Sequence, residues 1–146
     1  NSNISSMPSG LRGIIYQKLI SRNKTSTPII VDNYIKNDPM NILSIRVYRT
    51  LVESIGIIID NALEAIDNCD DKYLYMSLLE DDENYNIKCV NPFNNEMDIE
   101  NIQDKGKTSK KDHSGIGLYY IKNKTQFSLK TLVRNNVYII NLKIKK

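Results

Sequence analysis

The chain is poor in the residues from which metal clusters and disulfide frameworks are built. It has no tryptophan, one histidine and two cysteines among its 146 residues. Cys69 and Cys89 have no CxxC spacing, and we expect both to be reduced thiols that pack in the protein. A single histidine excludes a His/Cys metal cluster and leaves His113 as the only candidate for histidine-based catalysis.

Long hydrophobic runs are also absent. No stretch reaches the about 18 consecutive apolar residues that predict a transmembrane helix, and no signal peptide opens the chain. The chain begins at Asn1 rather than at a methionine. We therefore expect it to be a segment of a longer protein, whose membrane or sensing part lies outside this sequence.

The chain also lacks a large excess of charge of either sign. Twenty Lys and Arg residues stand against 17 Asp and Glu, a net charge of +3. An excess this small is weak evidence for a polyanion partner. The nine tyrosines are dispersed, so we interpret them as packing residues rather than a base-stacking surface. With 40% apolar and 25% charged residues, the composition predicts one ordinary soluble globular domain.

Hydrophobic periodicity predicts both helices and strands. Helices are predicted at residues 11–22, 44–68, 97–103 and 116–124. Strands are predicted at residues 28–35, 73–79, 85–90, 127–133 and 137–144. A frayed end is expected at residues 1–10, a loop at 36–41, and hairpin turns at 80–84 and 134–136. This order predicts an α/β (α+β) two-layer sandwich, in which a mixed sheet of about five strands has helices on one face.

Three polar residues stand beside the apolar stripe of the longest predicted helix. Asp60, Asn61 and Glu64 occupy positions i, i+1 and i+4 and form one polar patch. Hard oxygen ligands suit Mg²⁺, and an amide oxygen coordinates it without adding negative charge. A solvated helix face is the other interpretation of this pattern.

A polar, basic stretch precedes the last predicted helix. Thr108 and Ser109 supply hydroxyl groups in this stretch, and Lys110 supplies a positive charge. Gly115 and Gly117 then open the predicted helix. Two glycines there let backbone N–H groups approach an anion closely, and the helix dipole favours negative charge. The pattern matches neither a Walker loop nor a Rossmann fingerprint, and a flexible basic loop is the alternative.

A third candidate lies at the end of the strand predicted at residues 85–90. The amide of Asn91 could accept a hydrogen bond from an adenine amino group and donate one to a ring nitrogen. Since Pro92 follows, an Asn-Pro turn is the simpler interpretation of this residue alone.

In this order the three motifs resemble those of the GHKL (Bergerat-fold) ATP-binding superfamily. Residues 60–65 resemble the N-box of Agr-type sensor histidine kinases, which serve peptide quorum sensing. Residues 106–118 resemble the lid and glycine box of that subfamily. The resemblance runs from about residue 11 to residue 146. It implies an ATP-binding catalytic domain at residues 26–146, preceded at 1–25 by a linker and the tail of a dimerisation helix.

The resemblance implies a role for each matching residue. Asn61 would bind the Mg²⁺ that bridges the ATP phosphates, and Asn91 would replace the adenine-reading aspartate of most family members. The other implied ATP-binding residues are Thr108, Ser109, Lys110, Gly115, Gly117 and Leu118. The γ-phosphoryl group of ATP would pass to a histidine outside this chain, a transfer in which positioning and charge neutralisation dominate.

The resemblance also implies cofactors, partners and a location. ATP and Mg²⁺ are the implied cofactors. The implied partners are a response regulator and the phosphoacceptor-helix dimer of the same protein, with no nucleic acid among them. The full-length protein would be a homodimer and this segment a monomer. The domain would be the cytoplasmic part of a membrane-anchored receptor for a peptide signal.

The sequence departs from the family pattern in several places. No first glycine box surrounds Asn91. Ile57 stands four residues before Asn61, where hydrolytic relatives carry a general-base glutamate, so hydrolysis is disfavoured. Ser114 stands where related lids often have Arg or His. His113 lies in a loop-like sequence, so we do not expect it to accept the phosphoryl group or the chain to phosphorylate itself.

Two other functions remain open at this stage. A serine kinase of the anti-sigma type shares the fold, although the helix at residues 11–22 and the spacing of the lid argue against it. A degenerate nucleotide-binding module would act as an interaction scaffold. The missing first glycine box and Ser114 favour that second alternative.

Overall fold

The computed structural model describes residues 4–22, 27–94, 114–122 and 124–146. A 3₁₀ helix at Ile4–Ser6 opens the described chain. The α-helices are α1 (Ser9–Arg22), α2 (Pro39–Ile42), α3 (Ile45–Asp67) and α4 (Ser114–Lys122). The strands are β1 (Ile29–Asn33), β2 (Leu74–Glu80), β3 (Asn84–Pro92), β4 (Phe127–Arg134) and β5 (Val137–Lys145).

The five strands form one mixed sheet in the order β1-β2-β3-β5-β4. β1 runs parallel to β2, and the other neighbouring pairs are antiparallel. The crossover from β1 to β2 contains α2 and α3, as a parallel connection requires. The predicted fold class, a mixed five-stranded α/β sheet with helices, is confirmed.

The core lies between one face of the sheet and the helices. Alternation along each strand sends Met76, Cys89 and Ile140 to the same face, where they stand side by side across β2, β3 and β5. Each of the three is at most 2% exposed. α3 packs over β3, and α1 packs beside α3. The opposite face of the sheet has no helix over it in the described part of the chain.

α3 matches the sequence prediction closely because its capping residue and its helical hydrophobic period are both visible in the sequence. The Ser44 hydroxyl caps the first turn by accepting from the backbone N–H of Val47 at 3.2 Å. Leu51, Ile55 and Ile66 are fully buried at helical spacing. The helix ends at Asp67, one residue before the predicted end.

The last hairpin also follows from its sequence. Asn135 and Asn136 both have positive φ angles, 53° and 63°. Two consecutive left-handed residues form the turn whose twist matches antiparallel strands, and asparagine tolerates that conformation better than most residues. The structure thus has a turn within the predicted range, residues 134–136.

Two local predictions need correction. The expected loop at residues 36–41 contains the start of α2, where the Asp38 side chain caps the backbone N–H of Met40 and Pro39 takes the first helical position. The expected frayed end at residues 1–10 is wrong for the described residues from 4 onward, since Met7 is 3% exposed and α1 begins at Ser9. The helix predicted at residues 97–103 lies outside the described residues.

One buried carboxylate links the end of β2 to the end of β5. The Glu80 side chain is 6% exposed and forms an ion pair with Nζ of Lys146 at 2.7 Å. It also accepts hydrogen bonds from the backbone N–H groups of Lys36 and Asn37 at 2.8 and 2.9 Å. Burial alone would raise the pKa of Glu80, but these hydrogen bonds outweigh it and lower the pKa from 4.5 to about 2.

Replacing Glu80 by glutamine is expected to remove about 1–2 kcal/mol of stability at neutral pH. A carboxyl whose pKa is lowered by folding stabilises the protein above its ordinary pKa. This contribution is lost as the pH falls from about 5 towards 2. Urea unfolding at several pH values measures both effects. The exposed neighbour Glu83 provides the matched control Glu83→Gln, and equal losses in the two variants would contradict the prediction.

Candidate functional site

Asp60 and Asn61, neighbours in the predicted polar patch on α3, have different surroundings. Asp60 faces α1 and accepts from Nζ of Lys18 at 2.8 Å, and both side chains are about one quarter exposed. Asp60 therefore joins the two helices. Asn61, the next residue, is half-buried, and its amide nitrogen is buried with no hydrogen-bond partner within the described ranges.

The unpaired amide of Asn61 provides a test of whether a metal or phosphate ligand fits there. A buried amide atom without a partner is costly unless something outside the chain completes it. The oxygen and nitrogen of an amide exchange places by a simple flip. The Asn61 side chain therefore has a polar atom available, and its oxygen fits the role of a neutral Mg²⁺ ligand.

Gly117 of α4 packs against α3, the helix that carries Asn61. A Cβ at Gly117 would lie 2.8 Å from Cγ2 of Ile57, closer than real Cβ contacts allow. Ile57 is one turn before Asn61, and residues four apart share one helix face. The absence of a side chain at Gly117 thus lets α4 approach α3 one turn from Asn61. The sequence singled out this glycine for its backbone, and the structure adds a packing reason.

Asn91 lies at the end of β3, directly opposite Tyr138 of β5. It is 1% exposed, and its amide nitrogen donates to the carbonyl of Pro92 at 2.8 Å. Because a carbonyl can only accept, this bond fixes the orientation of the amide. The Asn91 oxygen is then the atom suited to accept from an amino group.

Two aromatic residues next to Asn91 were not identified from the sequence. The rings of Phe93 and Tyr138 stack with centroids 5.4 Å apart, and both side chains are at most 4% exposed. Burial raises the pKa of the Tyr138 hydroxyl above its ordinary value, so that hydroxyl stays protonated. The only available signal was that Tyr138 follows a turn, and its position opposite Asn91 depends on strand register.

A cavity of about 540 Å³ extends from the end of α3 to the end of β3. Its lining includes Asn68 and Asp71, which follow α3, and Pro92 and Phe93, which follow Asn91. Its volume lies within the about 300–1,000 Å³ typical of small-molecule sites. Neither Asn61 nor Asn91 lines this cavity, which borders only the end of the helix and the end of the strand that carry them.

Of the other predicted site residues, the structure describes Gly115 and Leu118. Leu118 is fully buried in the core, so its side chain packs between α4 and the rest of the protein. Gly115 belongs to α4. Thr108, Ser109, Lys110 and His113 lie outside the described residues, and the roles predicted for them stay predictions.

The two cysteines are free thiols. Burial raises the pKa of the Cys89 thiol to about 12, so it stays protonated and unreactive. The Cys69 thiol donates to the carbonyl of Ala65 at 3.3 Å. Within the described ranges, no group of three or more His, Cys, Asp or Glu side chains could hold a metal ion. No helix among these residues is both long and apolar enough to cross a membrane.

Comparison with known proteins gives a family match and a set of similar folds. A family model described as a GHKL domain matches residues 47–145. The catalytic domain of the histidine kinase ThkA superposes with a TM-score of 0.69 at 16% identity, covering 94% of this chain and 91% of that one. Acinetobacter baumannii histidine kinase AdeS gives 0.62 at 14% identity, covering 92% and 64%. None of the curated proteins compared with the chain matches it.

A third similar structure is the histidine kinase domain of a blue-light activated kinase from Erythrobacter litoralis. It superposes with a TM-score of 0.65 at 12% identity, covering 94% of this chain and 60% of that one. At identities this low, the likeness establishes the fold. The family assignment rests on the domain match, which spans α3 except its first two residues, the strands from β2 to β5, and both glycines of α4.

Proposed function

The chain belongs to the GHKL domain family, and on that premise we propose that it is the Mg-ATP-binding catalytic domain of a two-component sensor histidine kinase. In the full-length protein, the γ-phosphoryl group of ATP would pass to a histidine outside this chain. The bond between the γ-phosphorus and the ADP oxygen breaks, a bond to an imidazole nitrogen forms, and ADP leaves.

One observation carries this proposal: α4 meets α3 through Gly117, one turn from Asn61. The start of α4 and the polar face of α3 are thereby held close together. A helix N-terminus binds anions through its free N–H groups and its dipole. Asn61 would then lie within reach of a metal ion that such an anion brings. This combination suits a nucleotide triphosphate.

Each part of the nucleotide has a counterpart in the proposed site. The Asn61 oxygen would hold Mg²⁺, which neutralises charge on the phosphates when it is bound. Thr108, Ser109 and Lys110 would contact the phosphates, together with the backbone of Gly115 and Gly117.

The base would lie at the other end of the site. The Asn91 oxygen would accept from the adenine amino group, beside the cavity that Phe93 lines. Asp70 and Asp71 also line this cavity, and their carboxylates would repel phosphates. The charge distribution therefore favours base and ribose at this end and phosphates at the α4 end.

The residues near Asn61 favour phosphoryl transfer over hydrolysis. Ile57 occupies the position one turn before Asn61, and its hydrocarbon side chain packs against the core. A hydrocarbon cannot take a proton from water, so this position provides no general base. The acceptor histidine, the response regulator and the Agr-type quorum-sensing subtype are parts of the proposal that rest on the sequence resemblance. So does the attachment to a membrane receptor.

A degenerate nucleotide-binding module is the second candidate. Asn91 is almost fully buried and already donates to Pro92, and no glycine follows it to let a base approach. If the pocket does not open, the domain would act as an interaction scaffold.

Calorimetric titration of Mg-ATP into the chain separates the two candidates. The proposal expects binding that EDTA abolishes, that a non-hydrolysable analogue reproduces, and that releases no ADP. No binding up to millimolar nucleotide would overturn it and move the scaffold function to first place. Steady ADP release would instead assign the site to a hydrolase.

A further inference from the structure

On the sheet face that no described helix covers, the part formed by β3, β5 and β4 is positively charged. β3, β5 and β4 lie side by side, and their sequences contain no Asp or Glu. The outward-facing positions of these strands carry five cations. We call this surface the basic face, and its cations are Lys88, Lys130, Arg134, Lys143 and Lys145. These three strands therefore carry positive charge without any acidic side chain of their own.

The strand register places these cations close to one another. Lys88 of β3 and Lys130 of β4 flank Asn141 of β5 on one rung of the sheet. Two strand spacings separate their Cα atoms by roughly 10 Å. Lys143 lies on the same face, about 7 Å further along β5. Within the described part of the chain, no ion pair involves any cation of the basic face.

An apolar row crosses the basic face. Leu132 of β4 is 47% exposed and lies between Lys130 and Arg134. Its register partner on β5 is Ile139, and the next residue across the sheet is Val90 of β3. Both of these are half-buried. The face therefore combines fixed positive charge with a strip of hydrocarbon.

We propose that the basic face binds the surface of an anionic lipid bilayer. Lysine and arginine near such a surface each add to the attraction, because the leaflet has a negative potential. The headgroup region also accepts apolar side chains, so burying Leu132 there is favourable. The inference goes beyond nucleotide binding and does not rest on it.

The arrangement favours a bilayer over a nucleic acid. A phosphodiester backbone offers no apolar surface to Leu132. Single-stranded nucleic acids are held largely by bases that stack on aromatic rings. The aromatic residues of these three strands, Tyr85, Phe127 and Tyr138, are all buried, and Tyr75 of β2, the register partner of Val90, is half-buried.

Bilayer binding would leave the proposed nucleotide site open. Asn61 lies on α3, in the helical layer, and Asn91 shares the buried sheet face with Tyr138. The basic face is on the opposite side of the sheet. The two surfaces can therefore be tested separately.

Co-sedimentation with vesicles tests the inference. The wild-type chain is expected to bind vesicles containing phosphatidylglycerol and not vesicles of phosphatidylcholine alone. Binding should fall as salt rises above about 0.1 M, because screening weakens the attraction. The variant K88E/K130E/K143E is expected to lower the partition coefficient by at least about a hundredfold.

A matched control has the same charge change outside the basic face. Lys36 lies between β1 and α2, and Arg46 and Arg49 belong to α3. All three are exposed, and K36E/R46E/R49E should keep most of the binding. The variant K88Q/K130Q/K143Q repeats the test with neutral side chains. Thermal unfolding checks that all three variants are folded. Equal losses in the two charge-reversal variants, or no preference for phosphatidylglycerol, would overturn the inference. Displacement from vesicles by duplex DNA at equal phosphate concentration would overturn it in favour of a nucleic acid.

Discussion

Replacing Asn61 by alanine is expected to abolish Mg-dependent ATP binding while leaving the fold intact. The variant removes the amide oxygen proposed to hold the metal, and with it the charge neutralisation that phosphates require. We expect a loss of at least about a hundredfold in affinity, equivalent to about 2.7 kcal/mol. Calorimetry with and without magnesium measures this loss.

The stability of the Asn61→Ala variant distinguishes a ligand-binding role from a structural one. The amide nitrogen is buried without a partner among the described residues, so the side chain contributes little to the folded state. Removing an unsatisfied buried group is neutral or stabilising. We therefore expect an unchanged or slightly higher melting temperature.

The matched control is Asn41→Ala, the same substitution at an exposed position on α2. It should change neither affinity nor melting temperature. Unchanged ATP affinity in Asn61→Ala would remove this residue from the site. A large loss of stability would show instead that Asn61 supports the fold.

Replacing Gly117 by alanine is expected to destabilise the protein by about 1 kcal/mol and to weaken ATP binding about tenfold. The new Cβ would meet Cγ2 of Ile57 at 2.8 Å, and a β-branched side chain in a helix has little freedom to move away. Overpacking costs about 1–3 kcal/mol, which exceeds the about 1 kcal/mol that alanine gains over glycine in a helix. Displacement of α4 would also move the helix start away from Asn61.

A double-mutant cycle with Ile57→Ala tests this steric explanation. Without the Ile57 side chain the clash disappears, and only the helix propensity of alanine remains. In that background, Gly117→Ala should stabilise the protein by about 1 kcal/mol, which reverses the sign of its effect. A loss of the same size in both backgrounds would mean that Gly117 matters for its backbone and not for its contact with Ile57.

The sequence predicted the elements whose signals are local. α3 combines a capping serine with a long helical period, and β4 and β5 alternate around two asparagines. α2 was missed because one turn of helix has no period to detect. Met7 was assigned to a frayed end because its burial depends on packing from elsewhere in the fold.

The candidate site was predicted only in part, for physical reasons. Asn61, Asn91 and Gly117 came from motif resemblance, which identifies residue types and order but no distances. The contact of Gly117 with Ile57 and the position of Tyr138 opposite Asn91 depend on helix packing and strand register. Neither follows from periodicity along a single segment.

The position of α1 bears on the domain boundary. Leu11, Ile15 and Leu19 are buried, and Lys18 bonds Asp60 of α3. α1 therefore packs as part of the same core as the sheet. The continuation of α1 into a dimerisation helix and the division at residue 25 stay predictions.

The pairing of β3 with β5 has a consequence for how this domain can change in evolution. Pro92 and Val137 are register partners, and between them the chain passes through α4 and β4 before it returns to the same rung. The entropy of closing a connection between fixed ends grows only logarithmically with its length, and each doubling costs about 0.6 kcal/mol. A change in the length of the connection between β3 and α4 therefore leaves the register of the sheet intact at small cost. The length of that connection can diverge while the frame that holds Asn61 and Asn91 is inherited unchanged.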